Sequence, residues 1–199
     1  MIRWREFALA GLLAFVASVS AADPEQDPRI QLVATPAIIA DFQLTDQDGH
    51  PFRFSQLRGR EALFFFGFTH CPNICPTAMF EMKLVSEALE KSGQKAPAVV
   101  LVSVDGERDT PEVMKKYLAA YPESFIGLTG DPKAVRKIAA EFKAVFFKGL
   151  PYDNAGNYQV EHTSLIYFVD PDGRLRASFL DAPVESMADS IRQLRSRES

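Results

Sequence analysis

The chain has few of the residues on which several functional classes depend. Among 199 residues it has two cysteines, three histidines and one tryptophan, and its formal net charge is −4. Two cysteines are too few for a small scaffold held together by disulfides. Without an excess of positive charge, the composition gives no support to nucleic-acid binding. The sequence also has no internal repeat or low-complexity tract, which argues against a fibrous protein.

What is present is an ordinary globular composition. Hydrophobic residues make up 47% of the chain and charged residues 24%, which is typical of a folded domain. The length fits a single domain. Sixteen phenylalanines predict a core rich in aromatic side chains.

The N-terminal residues resemble a targeting segment. Two arginines precede an apolar run from Phe7 to Val19, and small residues follow it. This order predicts a secretory signal peptide over residues 1–22. The alternative is a membrane anchor retained over residues 7–22, although the run is shorter than the roughly 20 residues that span a bilayer comfortably. Either way, we expect a bacterial protein of the periplasm or the outer face of the inner membrane.

The rest of the chain divides into a tether and one domain. Residues 23–40 are rich in proline and polar side chains, which predicts an extended tether. Residues 41–199 are expected to form the domain. It begins with a β-hairpin whose strands, Asp41 to Thr45 and Phe52 to Phe54, flank an Asp-Gly turn.

Hydrophobic periodicity predicts an α/β domain. Two continuous apolar runs, Ala62 to Phe68 and Ala98 to Val104, are typical of central strands buried on both faces. Strands and helices alternate along the chain, which indicates a mixed central sheet flanked by helices. The further predicted strands are 125–128, 158–160, 164–169 and 175–179, the predicted helices are 77–92, 110–121, 132–142 and 186–194, and a loop is expected over 148–156.

Cys71 and Cys75 are the strongest candidates for chemistry. They directly follow the first central strand, at the sheet edge where open α/β folds bind ligands. A helix N-terminus stabilises thiolates, so lowered thiol pKa values are expected. The spacing lets both sulfurs reach one metal ion or each other. A plain structural disulfide is the alternative, but so short a loop constrains the unfolded chain little. A redox or metal role is therefore favoured.

The three histidines differ as candidates for a third ligand. His50 follows a turn signal and is expected to be exposed. His70 adjoins Cys71, but neighbouring side chains on a strand point to opposite faces. His162 precedes the predicted strand 164–169. It meets the cysteines only if that strand is antiparallel to the first central strand, and spacing alone leaves this open.

Several motifs, in this order, resemble the Sco/SenC family of copper-binding, thioredoxin-like proteins. The resemblance covers about residues 42–194. The motifs are Phe66 to Thr77 around the cysteines, Ser103 to Glu112, Glu161 to Ser164 and Asp170 to Gly173.

The resemblance implies a thioredoxin-like fold in which Cys71, Cys75 and His162 bind one copper ion, as Cu(I) or Cu(II). It places Asp105 near the site as an outer or weak ligand. Family members deliver copper to, or reduce the cysteines of, the dinuclear copper site in subunit II of cytochrome c oxidase. That subunit, or another extracytoplasmic copper or thiol protein, is the expected partner. The family commonly has proline where this chain has Gly106, a difference expected to loosen the turn.

The donor types agree with this interpretation and also leave alternative functions open. Two thiolates and one imidazole suit copper or zinc, and three ligands leave a position open for a partner's ligand. A metallochaperone, rather than a classical enzyme, is the expected function. The alternatives are a thiol-disulfide reductase that keeps the target's cysteines reduced, a redox or copper sensor, and a thiol peroxidase. His162 separates them, because copper binding needs it and simple dithiol exchange does not.

Overall fold

The computed structural model describes residues 27–151, 153 and 157–197. The signal peptide or anchor predicted for residues 1–22 lies outside this range. Within the described residues, no helix is both long enough and apolar enough to cross a membrane.

An eight-stranded sheet and a separate two-stranded ribbon form the framework of the described chain. The strands are β1 (Ile30–Leu32), β2 (Gln43–Asp46), β3 (Pro51–Arg53), β4 (Ala62–Gly67), β5 (Ala98–Ser103), β6 (Ile126–Thr129), β7 (Phe146–Lys148), β8 (Val160–His162), β9 (Ile166–Val169) and β10 (Leu175–Phe179). The helices are α1 (Ile74–Lys91), α2 (Pro111–Leu118), α3 (Pro132–Glu141) and α4 (Val184–Ser196), and a short 3-10 helix spans Phe54–Leu57.

The strand order confirms the predicted α/β class with a mixed sheet. The order is β1-β10-β9-β4-β5-β6-β2-β3. Strand β4 is parallel to β5, and β5 to β6, while the other neighbours are antiparallel. The predicted hairpin is also confirmed, since β2 and β3 pair with each other and β2 joins the sheet beside β6. Because β9 is antiparallel to β4, the start of β9 lies at the edge where β4 ends.

Strand β4 forms the centre of the core. All its residues are buried, as its unbroken apolar run predicts. The rings of Phe64 and Phe66 contact Phe142, beyond the end of α3, while Phe65 between them points to the opposite face. Burying one such side chain contributes about 1.5–3 kcal/mol relative to leaving it exposed. The strand that leads into the cysteine turn is therefore closely packed in the core.

Helix starts follow from capping chemistry. Thr110 caps α2 by accepting a hydrogen bond from the Val113 N–H, and Pro111 takes the first helical position. Helix α1 begins at Ile74, before Pro76 rather than after it. Proline is tolerated there because first-turn N–H groups have no partner within the helix. Cys75 is therefore inside the helix.

The region predicted as a tether is partly sheet. The sequence predicts an extended tether over residues 23–40, of which 23–26 lie outside the described residues, yet Ile30–Leu32 form β1 and pair with β10 at the sheet edge. Ile30 and Ile39 are both buried. The folded part of the chain therefore begins well before residue 41, because these isolated apolar side chains complete the core.

The predicted loop 148–156 overlaps a strand. Lys148 is the last residue of β7, which pairs antiparallel with β8, and we call these two strands the ribbon. Phe146 faces inward and is buried, whereas Phe147 is 62% exposed. Strands this short give too little periodicity to be recognised before their partner is known.

Candidate metal centre

The two cysteines lie where β4 gives way to α1. Cys71 is in the connecting turn, and its backbone N–H donates to the Phe68 carbonyl at 3.3 Å. Cys75 lies in the first turn of α1, and its N–H donates to Cys71 Sγ at 3.4 Å. The free N–H groups of a helix start thus hold one sulfur beside the other. Both residues are free thiols.

The two thiols differ in access. Cys71 is 8% exposed, whereas Cys75 is 0% exposed. Burial raises the pKa of the Cys75 thiol, which is opposite to the lowered value expected from the helix N-terminus. Removal from water outweighs the partial positive charge of the helix end. A metal ion that binds Cys75 as a thiolate must therefore displace its proton.

Gly67 provides the space that the Cys75 sulfur occupies. A Cβ at this position would lie 2.9 Å from Cys75 Sγ and 2.7 Å from the Phe65 ring. Both distances are shorter than van der Waals contact. The last residue of β4 thus needs to lack a side chain for the sulfur to lie against the strand.

We expect Gly67→Ala to destabilise the protein by about 1–3 kcal/mol, because the added methyl group overpacks the core. It should also displace Cys75 Sγ and lower copper affinity by about tenfold or more. Gly127→Ala is the matched control, since its Cβ would meet Leu118 and Met114 instead. Urea denaturation and a copper competition titration measure the two effects. Equal copper affinity in the two variants would contradict this role of Gly67.

His162 reaches the cysteines from the ribbon. It is the last residue of β8, and its Nε2 lies 3.6 Å from Cys75 Sγ. Its Nδ1 lies 3.2 Å from the Thr163 carbonyl, and the rings of Phe65 and Phe68 pack nearly perpendicular to the imidazole. The antiparallel β4–β9 pairing brings this part of the chain to the cysteine edge. Of the two arrangements that spacing left open, the structure has the antiparallel one.

Burial also acts on the imidazole. It lowers the pKa of His162, so the ring is neutral at neutral pH and one nitrogen keeps a free lone pair. The Thr163 carbonyl favours a proton on Nδ1, which leaves Nε2 directed at Cys75 as the acceptor.

These three side chains form a donor set with the dimensions of a metal site. Their ligand atoms all lie within 4.8 Å of one another. An ion about 2.2 Å from three ligands in one plane requires separations of about 3.8 Å between them. Two sulfurs and one imidazole nitrogen suit copper or zinc better than magnesium or calcium. The described residues therefore fit a soft metal ion such as copper.

The donor set opens into a cleft of about 320 Å³. Both Cys71 and His162 line it, whereas Cys75 does not. Among the described residues lining this cleft, Glu161 is charged, and there is no lysine or arginine to repel a cation.

The other candidate residues lie outside the donor set. The side chain of His50 is 76% exposed near the β2–β3 turn. His70 Nδ1 lies 3.6 Å from Asp109 Oδ1, and His70 does not belong to the ligand group. Asp105 is buried, and it accepts hydrogen bonds from Tyr158 and Arg108 rather than joining the ligand group.

Asp109 is a site residue that the sequence alone did not single out. It is 0% exposed, and its carboxylate accepts hydrogen bonds from the Thr69 N–H at 3.0 Å, the Thr69 hydroxyl at 2.6 Å and the Ser103 hydroxyl at 2.7 Å. These bonds fix the turn that carries Cys71. The sequence shows Asp109 only as an acidic residue within the Ser103 to Glu112 motif. Its position beside the capping residue Thr110 indicates a helix start.

Comparison with known proteins gives consistent results. The SCO1/SenC family model matches residues 31–196. An SCO2-like protein of Rickettsia typhi is 34% identical over 152 residues, which is 76% of this chain and 74% of that protein.

Solved structures agree. ScoI of Bradyrhizobium japonicum with copper bound is 39% identical, with a TM-score of 0.69 covering 79% of this chain and 99% of that one. Yeast Sco1 with copper bound is 28% identical, with a TM-score of 0.72 covering 79% and 88%. By sequence and by its thioredoxin-like fold, the chain belongs to the SCO1/SenC family of copper-binding proteins.

Proposed function

We propose that this protein carries one copper ion on Cys71, Cys75 and His162 and delivers it to the dinuclear copper site of cytochrome c oxidase subunit II. The supporting observation is the convergence of two sulfurs and an imidazole nitrogen within 4.8 Å at an open cleft. Family relatives with copper bound support the choice of metal.

The geometry suits transfer rather than storage. Three protein ligands leave a coordination position open, and the cleft gives access to it. An incoming ligand from a partner meets Cys71 and His162 first, because these two line the cleft. Cys75 lies behind them and is the last to lose contact with the ion. Copper can therefore pass to the partner by stepwise exchange of ligands.

The proposal includes location and partner. We place the protein in the periplasm or on the outer face of the inner membrane, delivered there by residues 1–22 as a signal peptide or anchor. The partner that receives the copper is then subunit II, or another extracytoplasmic protein with copper-binding thiols.

A second function is favoured by the adjacency of the two thiols. Cys71 lines the cleft and would attack a target disulfide, forming a mixed disulfide and releasing one target thiol. Cys75, whose N–H lies 3.4 Å from Cys71 Sγ, would then attack Cys71 Sγ and release the second target thiol. Two electrons and two protons pass to the target, and a Cys71–Cys75 disulfide remains. Reduction of the target's cysteines would prepare them for copper.

The test begins with copper binding by the reduced, purified protein. Titration with Cu(I) against a chromophoric chelator should show one copper per chain. Cu(II) should give a thiolate-to-copper charge-transfer band. Incubation with copper-free soluble subunit II should then move copper to the subunit. Absence of stoichiometric copper binding would overturn the chaperone function and leave the reductase, whose reduction potential would be measured next.

A further inference from the structure

The β5–α2 connection runs between the two halves of the metal centre. One half is the cysteine turn after β4, and the other is the ribbon that carries His162. The connection contains the Ser103 to Glu112 motif, and we call its residues 105–109 the bridging loop. None of the three carboxylates of this loop, those of Asp105, Glu107 and Asp109, belongs to the ligand group found among the described residues. Its polar side chains therefore act on something other than the metal.

Asp109 connects the bridging loop to the cysteine half. Its buried carboxylate receives both the N–H and the hydroxyl of Thr69, two residues before Cys71. Its own carbonyl accepts a hydrogen bond of 2.6 Å from the Thr129 hydroxyl at the end of β6. The Ser103 hydroxyl at the end of β5 also donates to the Asp109 carboxylate. Through Asp109, the cysteine turn is therefore connected to both β5 and β6.

Arg108 connects the same loop to the histidine half. Its Nε donates to Asp105 Oδ2 at 2.5 Å, and one terminal nitrogen donates to the Tyr158 carbonyl at 3.0 Å. The guanidinium lies 3.7 Å from the centre of the Tyr158 ring. Tyr158 lies two residues before the start of β8, so the arginine holds the chain four residues before His162.

The Tyr158 hydroxyl closes the network. It donates to Asp105 Oδ1 at 2.6 Å. Burial and this hydrogen bond raise the pKa of Tyr158 to about 12, which keeps the phenol protonated as a donor. Asp105 thus receives one bond from each partner and is buried with both oxygens occupied.

The loop itself is braced against the sheet. A Cβ on Gly106 would lie 2.2 Å from the Gly130 carbonyl oxygen, so the two backbones touch. An outer ion pair joins Glu107 to Lys148 of β7 at 2.5 Å. Both of its side chains are more than half exposed, so this pair contributes little. Rigidity comes from the buried contacts.

We propose that the bridging loop sets the distance between the sulfurs and the imidazole, with Asp109 positioning the cysteine turn and Arg108 positioning the His162 ribbon. The Asp109 contact is two residues from Cys71, and the Arg108 contact is four residues from His162. Both contacts come from the same five-residue loop. The geometric claim stands without copper, while its consequence for affinity rests on the proposed function.

Arg108→Gln tests whether Arg108 positions the ribbon that carries His162. In the metal-free protein, backbone amides of the ribbon should exchange with deuterium about tenfold faster, because buried hydrogen bonds are lost. Copper affinity should fall by about 10–100-fold, the usual cost of losing a group that orients a ligand. The reduction potential of the cysteine pair should not move. Tyr158→Phe, which removes a single hydroxyl, should produce the same pattern more weakly.

Asp109→Asn should give the opposite pattern. The amide replaces one carboxylate oxygen by an N–H donor, so at least one of the three hydrogen bonds to the carboxylate is lost or reversed, which weakens the hold on the cysteine turn. The reduction potential of Cys71–Cys75 should shift, and exchange in the ribbon should stay at the wild-type rate. Arg174→Gln is the matched control, since Arg174 pairs with Asp172 at the opposite end of β9.

Two results would overturn the proposal. One is a ribbon that exchanges at the wild-type rate in Arg108→Gln and in Tyr158→Phe. The other is exchange accelerated equally throughout the chain, which would indicate a general stabilising role. If the wild-type protein binds no copper, the proposed function fails, and hydrogen exchange still decides whether the loop positions the ribbon.

Discussion

Replacing Cys75 with serine is expected to abolish tight copper binding, with a loss of affinity of more than about 100-fold. Losing an outer partner of a ligand costs about 10–100-fold, so losing a ligand should cost more. Cys75 Sγ also lies 3.6 Å from His162 Nε2. A serine hydroxyl is a poor ligand for a soft ion. The thiolate-to-copper charge-transfer band should weaken or disappear.

The measurement needs a check on folding, because position 75 is 0% exposed. A buried hydroxyl without a partner costs about 1–3 kcal/mol, so circular dichroism and urea denaturation accompany the copper titration. Cys75→Ala introduces no polar group and should lose copper in the same way. One copper per chain with an undiminished charge-transfer band in either variant would show that Cys75 is not a ligand.

His162→Ala should separate metal binding from thiol chemistry. Copper affinity should fall by more than about 100-fold, while the Cys71–Cys75 disulfide should still form. The backbone hydrogen bonds that hold the cysteines, from Cys71 to Phe68 and from Cys75 to Cys71 Sγ, do not involve the imidazole. The expected phenotype is a competent dithiol that fails to retain copper.

Chelator competition and thiol titration after mild oxidation measure these two properties. His50→Ala is a matched control at an exposed position on the β2–β3 hairpin, and it should change neither. Unchanged copper affinity in His162→Ala would remove this residue from the ligand set. Loss of disulfide formation in the same variant would contradict the independence of the two halves.

The sequence predicts the central architecture because its signals there are local. The runs of β4 and β5 are long, apolar and uninterrupted, and Thr110-Pro111 carries its own helix-start chemistry. The short strands β1 and β7 carry no comparable signal. Their existence depends on pairing with residues far along the chain, which periodicity does not record.

The candidate site shows the same contrast between residues predicted from local spacing and residues whose roles depend on distant contacts. The cysteines are close in sequence and follow a strand, so their adjacency is predictable from spacing. His162 lies 87 residues after Cys75, and only the family resemblance pointed to it. The role of Asp109 depends on hydrogen bonds to Thr69, 40 residues away. Such contacts exist only once the sheet has formed.

Gly106 departs from the family pattern, and the structure gives a packing reason for glycine at this position. The missing proline was expected to loosen the turn. In the structure the Cα of Gly106 lies against the Gly130 carbonyl, and any Cβ at position 106 would collide with that carbonyl oxygen. Glycine at this position is therefore a condition for close packing of the bridging loop in this chain.

The two adjacent phenylalanines of β7 have a consequence for evolution of the site. Phe146 faces the core opposite His162, and Phe147 faces solvent. A slip of one residue would exchange them at no hydrophobic cost, because the two side chains are identical. Burial therefore does not encode the alignment of this strand. The alignment is encoded by polar contacts at its ends: Thr163 exchanges hydrogen bonds with Val145, and the Gly149 N–H donates to Gln159. Mutations at Val145, Gly149 or Thr163 can therefore displace His162 without altering any of the three candidate ligands.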